Sequence, residues 1–318
     1  MLGPRSLVVV LLGLGLAGAC GARSELSPGA EAEGEGATGA GATGGSGGSG
    51  LGGGGGSGGS GGMGGEGGTP LPECTDPNQT YIYLVTGSLG LYAFKPEISA
   101  LEFRGTLDCE APGQTPFSMA VDRTGRAYVV YTDGRLWDVN LLDASCEATP
   151  YVPNQFGFNT FGMGYVLDDD ELGETLFVAD IDYGSGTSKG IATIDSDTLS
   201  LAPVGLVDTT FGFRIELTGE GTSLYAFIID DVSGGYLARV DKQTAAYESV
   251  VAVPVGNNIG SWHFAAWGGD FFFFTEESGS GFTTIRRYDV DTAQLSVVLQ
   301  VPEAVVGAGA STCAPGAP

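Results

Sequence analysis

Between residues 74 and 313 apolar and polar positions alternate with a period of two. Runs such as Ala127-Tyr128-Val129-Val130-Tyr131, Thr175-Leu176-Phe177-Val178-Ala179 and Phe271-Phe272-Phe273-Phe274 are short and are bounded by Gly and Asp. No long helical periodicity interrupts them, so the pattern predicts many short strands. One strand recurs along the chain: Leu91-Tyr92-Ala93-Phe94, Leu136-Trp137-Asp138-Val139-Asn140, Ile191-Ala192-Thr193-Ile194-Asp195, Leu237-Ala238-Arg239-Val240-Asp241 and Ile285-Arg286-Arg287-Tyr288-Asp289. From Phe94 through Val139, Ile194, Val240 and Tyr288 the steps are 45, 55, 46 and 48 residues. A period in the forties with about four strands per unit predicts an all-β fold, a single β-propeller.

A second strand precedes each of the last four copies: Ser118-Met119-Ala120-Val121, Gly162-Met163-Gly164-Tyr165, Arg214-Ile215-Glu216-Leu217 and His263-Phe264-Ala265-Ala266. The first unit lacks it at its own start. The chain supplies a candidate after Pro302, Ala304-Val305-Val306-Gly307-Ala308-Gly309-Ala310, whose Val306 follows Phe264 by 42 residues, as Met163 follows Met119 by 44. This phase predicts that the last strand completes the first blade and closes the ring. Five units predict five blades. The alternative is a six- or seven-bladed ring with one degenerate blade merged into its neighbour. The fourth strand of the second unit is expected at Ala148-Thr149-Pro150-Tyr151-Val152, and the third unit carries the extra residues, at 168–174 and 182–189.

The ends of the chain read differently. Arg5 precedes an apolar run from Leu7 to Leu16 that is shorter than the ~20 residues a membrane-spanning helix needs. Small residues follow, which predicts a signal peptide over residues 1–19. The stretch Leu16-Ala17-Gly18-Ala19-Cys20 resembles the lipobox of bacterial lipoproteins, although Ala17 stands where those sequences usually carry Leu. The resemblance implies cleavage before Cys20, lipid on its sulfur, and attachment to the outer face of a bacterial membrane in the cell envelope. The other reading of the same residues is ordinary cleavage and free secretion.

Residues 20–73 are mostly Gly with Ser, Ala, Thr and a few Glu, and have too little apolar surface to offset the entropy of ordering. They are expected to act as a flexible tether with a reach of about 40 Å for ~50 residues. A lipidated Cys followed by a Gly-rich leash resembles the layout of myxobacterial-type surface lipoproteins. The folded part is then 74–313, with a short tail at 314–318.

Cysteine usage fits this division. The chain has 5 Cys, and an odd number in an exported protein needs an explanation. Lipid on Cys20 leaves Cys74, Cys109, Cys146 and Cys313 for an oxidising compartment. Four Cys allow three pairings. The ring selects Cys74 with Cys313, because its two ends converge, and Cys109 with Cys146, which sit near the fourth strands of neighbouring blades.

Charge narrows the partners. The net charge is −25 at pH 7; six of the 38 acidic and two of the 13 basic residues precede Thr75, which leaves the folded part at −21. That balance argues against nucleic acid and anionic lipid. The membrane would be met through the N-terminal lipid alone.

Candidate chemistry is sparse. His263 is the only His, so any Ser-His-Asp arrangement would have to use it. Carboxylates in flexible loops are the candidates for Ca2+: Asp168, Asp169 and Asp170, the pair Asp180 and Asp182, and Asp230 with Asp231. Asn140, Asp195, Asp241 and Asp289 recur after the third strand of each unit and are expected to cap turns. Aromatics just before the first strands suggest a binding face near the axis, with Phe156, Phe158, Phe161, Arg214, Trp262 and His263 lining a shallow site for a carbohydrate or protein ligand. The function expected is a non-enzymatic binding or scaffold module. The alternative is a calcium-dependent lactonase or hydrolase, which needs convergent carboxylates at the channel mouth.

Overall fold

A computed structural model describes residues 71–181, 188–230 and 234–316. The signal peptide, Cys20, nearly all of the tether, Asp182 and Asp231 lie outside the described residues.

The chain is a five-bladed β-propeller, each blade a four-stranded antiparallel sheet. Blade 1 holds β1 (Ile82–Thr86), β2 (Gly90–Lys95) and β3 (Ala100–Thr106). Blade 2 holds β4 (Pro116–Val121), β5 (Arg126–Tyr131), β6 (Leu136–Asn140) and β7 (Cys146–Ala148). Blade 3 holds β8 (Phe161–Leu167), β9 (Glu174–Asp180), β10 (Ile191–Ile194) and β11 (Leu201–Gly205). Blade 4 holds β12 (Arg214–Glu220), β13 (Ser223–Asp230), β14 (Gly234–Val240) and β15 (Tyr247–Val253). Blade 5 holds β16 (Ile259–Trp267), β17 (Asp270–Glu277), β18 (Thr283–Asp289) and β19 (Gln294–Val301).

The last strand, β20 (Val305–Ala310), is the inner strand of blade 1. It pairs antiparallel with β1, from Ile82 opposite Ala310 to Thr86 opposite Val305. The two ends of the chain thus share one sheet. The inner strands touch in sequence, β20 to β4, β8, β12, β16 and back to β20.

Alternation along each strand sends one set of side chains to each neighbouring blade, so a hydrophobic core forms between every adjacent pair. Tyr83, Met119 and Trp137 lie between blades 1 and 2; Tyr128, Met163 and Phe161 between 2 and 3; Ile215, Phe177 and Ile228 between 3 and 4. Phe227, Phe264 and Phe273 fill the space between blades 4 and 5, and Phe94, Phe272 and Phe274 seal blade 5 to blade 1. A fully buried Phe is worth about 1.5–3 kcal/mol of transfer free energy, so each interface is a substantial core.

Cys74 is bonded to Cys313 and Cys109 to Cys146. The first bridge spans 239 residues and ties the start of the ring to the end of its closing strand. The second joins the loop after blade 1 to the outer strand of blade 2.

One expected strand is corrected. The outer strand of blade 2 is Cys146–Ala148, not a run from Ala148 to Val152. Pro150 has no N–H to add to a ladder, and the Thr149 hydroxyl donates to Leu136 O at 2.6 Å where the next main-chain bond would fall.

The turns after the third strands are capped as the repeat predicts. Asp195 Oδ1 accepts from Asp197 N–H and from both the N–H and hydroxyl of Thr198; Asp241 Oδ1 accepts likewise from Gln243 and Thr244; Asp289 Oδ1 takes both donors of Thr292. Asn140 Oδ1 takes the N–H of Leu142. The main-chain and hydroxyl donors of Thr198, and the hydroxyl and main-chain donors of Thr244 and Thr292, hold the three carboxyls below their ordinary pKa.

The unfolded chain therefore takes up protons first as pH falls. The stability these turns contribute is complete above the unfolded Asp value, near 3.9, and is lost as pH drops from there through the lower native values. Glu216 and Glu174 act in the opposite sense. Burial raises both, so stability falls as pH rises from the unfolded Glu value toward the native ones. We expect the contribution of these turns to the melting temperature to be lost below pH ~4, and the loss to be smaller in an Asp241→Asn/Asp289→Asn double variant, as thermal melts across that range would show.

Candidate functional site

The inner strands all begin on one face of the ring, here called upper, where the loops between blades arrive. The hairpins joining first to second and third to fourth strands lie on the lower face. Leu71 to Tyr81 is on the lower face: Gln79 Nε2 donates to Arg123 O, and Arg123 Nε donates to Pro72 O.

The axis is closed by one side chain. Glu216, on β12 of blade 4, is 1% exposed. Its Oε2 accepts from the Ser118 hydroxyl of blade 2 at 2.9 Å, a bond that crosses the axis between non-adjacent blades. The Met163 N–H of blade 3 lies near this carboxylate and favours its charged form. His263 of blade 5 brings Nδ1 to 3.1 Å from Oε1, close enough for an ion pair though too bent for a hydrogen bond. Burial pushes the carboxyl above the ordinary range, while His263, Ser118 and Met163 pull it back.

The inner strands approach closely enough to require Gly. A Cβ on Gly162 would lie 2.2 Å from Ile215 O and 2.7 Å from Glu216 Cα; one on Gly164 would lie 2.6 Å from Leu217 O. On the lower side the tail folds over the axis. Gly268 N–H donates to Pro315 O at 2.6 Å, and the Thr312 hydroxyl donates to Glu174 Oε2 at 2.6 Å. The space left there, about 20 Å³ beside Gly219, Ala266 and Ser311, holds a water at most.

The upper mouth stays open. A cavity of about 220 Å³ is lined by Phe117, Thr132, Ser261, Trp262, His263 and Glu276, among others. The Arg214 guanidinium lies 4.6 Å over the Trp262 ring and its Nη1 donates to Ile259 O at 2.9 Å. This contact fixes the Trp262 wall.

Of the aromatic candidates, Trp262 and His263 are at this mouth and Arg214 stands behind them. Phe158 and Phe161, 1% and 0% exposed, pack between blades 2 and 3. Phe156 projects from the loop before blade 3, 68% exposed.

The Ser118 and Ser261 hydroxyls have other partners. Ser118 donates to Glu216, and Ser261 donates to Val305 O. His263 therefore stands in a carboxylate pair and not in a Ser-His pair.

The calcium candidates separate. Asp168 accepts from Thr175, Asp169 pairs with Lys242, and Asp170 accepts from Leu172 N–H. Asp180 lies at the other end of β9, where it accepts from Lys189 N–H at 2.8 Å and meets Lys189 Nζ at 3.5 Å. Six residue steps of strand, about 20 Å, divide the two sets. Among the described residues no group of three or more His, Cys, Asp or Glu is placed to hold a metal ion.

The sequence reading missed Glu216. Its signal was present: Arg214, Glu216 and Thr218 are alternate positions on a strand otherwise read as buried, and buried polar side chains need partners.

Neither the family comparison nor the search of curated proteins finds a match. Solved structures show partial similarity to this chain. The Dos1 propeller is similar over 74% of this chain and 71% of its own, at 10% identity and a TM-score of 0.36. A Bacteroides thetaiotaomicron protein of unknown function is similar over 69% of this chain and 57% of its own, at 14% identity and a TM-score of 0.41. A GH43 glycoside hydrolase is similar over 72% of this chain and 53% of its own, at 15% identity and a TM-score of 0.45.

Proposed function

We propose that this chain is a cell-envelope lipoprotein, anchored through Cys20 and a Gly-rich tether, whose propeller is a non-enzymatic binding module with its ligand at the upper mouth. The observation that carries this reading is the one-sided axis. Glu216 and the 311–316 tail close it from below, and the aromatic-walled cavity opens above. The chain reaches the ring from the lower face, so a flexible tether over residues 20–73 would not have to cross the mouth.

The cavity is smaller than the ~300–1,000 Å³ of drug-sized sites. It suits a single sugar ring or one side chain of a protein ligand, held against Phe117 and Trp262 with the Thr132 hydroxyl and Glu276 at the rim. Thr132 is exposed and lines the mouth, so Thr132→Trp would fill the cavity at the cost of two exposed hydrogen bonds, from Thr115 N–H and to Gln114 Oε1. Glycan and peptide arrays probed with the parent protein should yield a ligand that Thr132→Trp binds at least about tenfold more weakly, with a melting temperature lowered by no more than about 4 °C. A ligand bound equally by both proteins would exclude the mouth. In cells, Cys20→Ser should move the intact protein from the membrane to the soluble fraction; retention at the membrane would exclude the lipid anchor.

A further inference from the structure

Each blade of a propeller ends in an outer strand whose free edge is a row of open N–H and C=O groups. Four of the five edges carry a feature that blunts them. Strand β3 contains Glu102, paired with Lys95 and Arg104. Strand β7 is three residues long. Strand β11 contains Pro203, and Gln155 Oε1 takes the N–H of its Leu201 at 2.9 Å. Strand β15 carries Glu248, paired with Arg239.

Strand β19 has none of these. Its eight residues, Gln-Leu-Ser-Val-Val-Leu-Gln-Val, include no charge and no Pro, and Val297 at the centre is 64% exposed. The irregularity at Val298 in its pairing with β18 is shared by β3, β11 and β15, so it does not set this edge apart.

We propose that the β19 edge pairs antiparallel with the same edge of a second copy of this chain. A chain carrying −25 repels its own copies, so a contact between copies belongs where acid is absent. Strand β19 is such a place, and the neighbouring β18 carries Arg286 and Arg287, the latter neutralising Asp270 and Asp289. Pairing centred between Val297 and Val298 sets Ser296 opposite Leu299 and Leu295 opposite Gln300, with no like charges opposed.

Twist fixes how the copies face. Strands in a sheet turn by about 20–25° each, so three steps rotate β19 by about 60–75° from β16. It then runs nearer the plane of the ring than its axis. The two-fold of the pair stands near the ring axis, and both copies present their upper mouths on one side. The pairing holds whatever the mouth binds.

Eight paired residues bury less than the ~800 Å² per partner of a standard interface, so association is expected to be micromolar or weaker. Sedimentation equilibrium tests it on the full chain with Cys20→Ser in every arm, which removes any association through lipid. The parent and a Phe103→Lys control on the β3 edge should show the same reversible monomer–dimer equilibrium from low-micromolar to submillimolar concentration. Val297→Lys should raise the dissociation constant at least about tenfold, and Ser296→Lys, also at an exposed position, should do the same. A parent that stays monomeric throughout overturns the proposal. So does a dimer that survives both Lys substitutions, or one that Phe103→Lys weakens equally.

Discussion

A Cys74→Ser/Cys313→Ser double variant is expected to melt about 10–20 °C below the parent. The bridge closes a loop of 239 residues, and the entropy it removes from the unfolded chain corresponds to roughly 5 kcal/mol. For a domain of this size each kcal/mol moves the midpoint by about 2–4 °C. The position of the bridge adds to its length. Without it, the ring is closed only by the pairing of β1 with β20 and by the cores on either side of blade 1. The lower tail, which covers the axis, would also lose its covalent hold. The Cys109–Cys146 bridge is a useful comparison, because it spans 37 residues between blades that are already continuous in sequence. Calorimetry should show a smaller loss for Cys109→Ser/Cys146→Ser than for the Cys74/Cys313 pair. Coincident melts of the Cys74/Cys313 variant and the parent would mean that the ring needs no covalent closure.

The parts of this fold that were legible in the sequence are those written in local, repeated patterns. The third strands of blades 2 to 5 announce themselves by an apolar core ending in Asp or Asn, because that residue caps the following turn, whereas the third strand of blade 1 ends in Lys95. The closing strand was legible through phase alone: it stands one period after the inner strand of blade 5. Both disulfides followed once the ring was assumed. The axis was not legible, because Ser118, Met163, Glu216 and His263 come from four blades, with 98 residues between Ser118 and Glu216. The buried polar positions of the strand Arg214–Glu220 signal that partners must exist, but no local pattern names partners that meet only when four inner strands converge. The aromatic candidates failed to separate for a related reason. A Phe before an inner strand can turn into an interblade core, as Phe158 does, or out to solvent, as Phe156 does, and spacing alone does not distinguish these.

Gly162→Ala tests whether the axis is closed as tightly as the glycines imply. On intrinsic preference the change should be harmless or mildly stabilising, since Gly in a strand interior costs roughly 0.5–1 kcal/mol relative to Ala. The environment reverses that sign. The new Cβ would stand 2.2 Å from Ile215 O, 2.7 Å from Glu216 Cα and 3.0 Å from Glu216 Cδ, where carbon contacts normally begin near 3.5 Å. The nearest two are backbone atoms of a central strand, so no side-chain rotation relieves them. Blades 3 and 4 must part, or the Glu216 carboxylate must leave Ser118. Overpacking of this kind costs about 1–3 kcal/mol, and more when backbone must move, so a net loss of about 3 kcal/mol is expected in the urea midpoint. Gly87→Ala is the matching control: its Cβ would meet Val306 Cγ1 at 3.8 Å, an ordinary contact, and its effect should stay within about 0.5 kcal/mol. Because Glu216 also contacts His263 at the mouth, Gly162→Ala should weaken ligand binding together with stability. If Gly162→Ala is as stable as the Gly87→Ala control, the inner strands have room to spare. An axis with such room would not be sealed, and the case for a mouth open on one side only would fall with it.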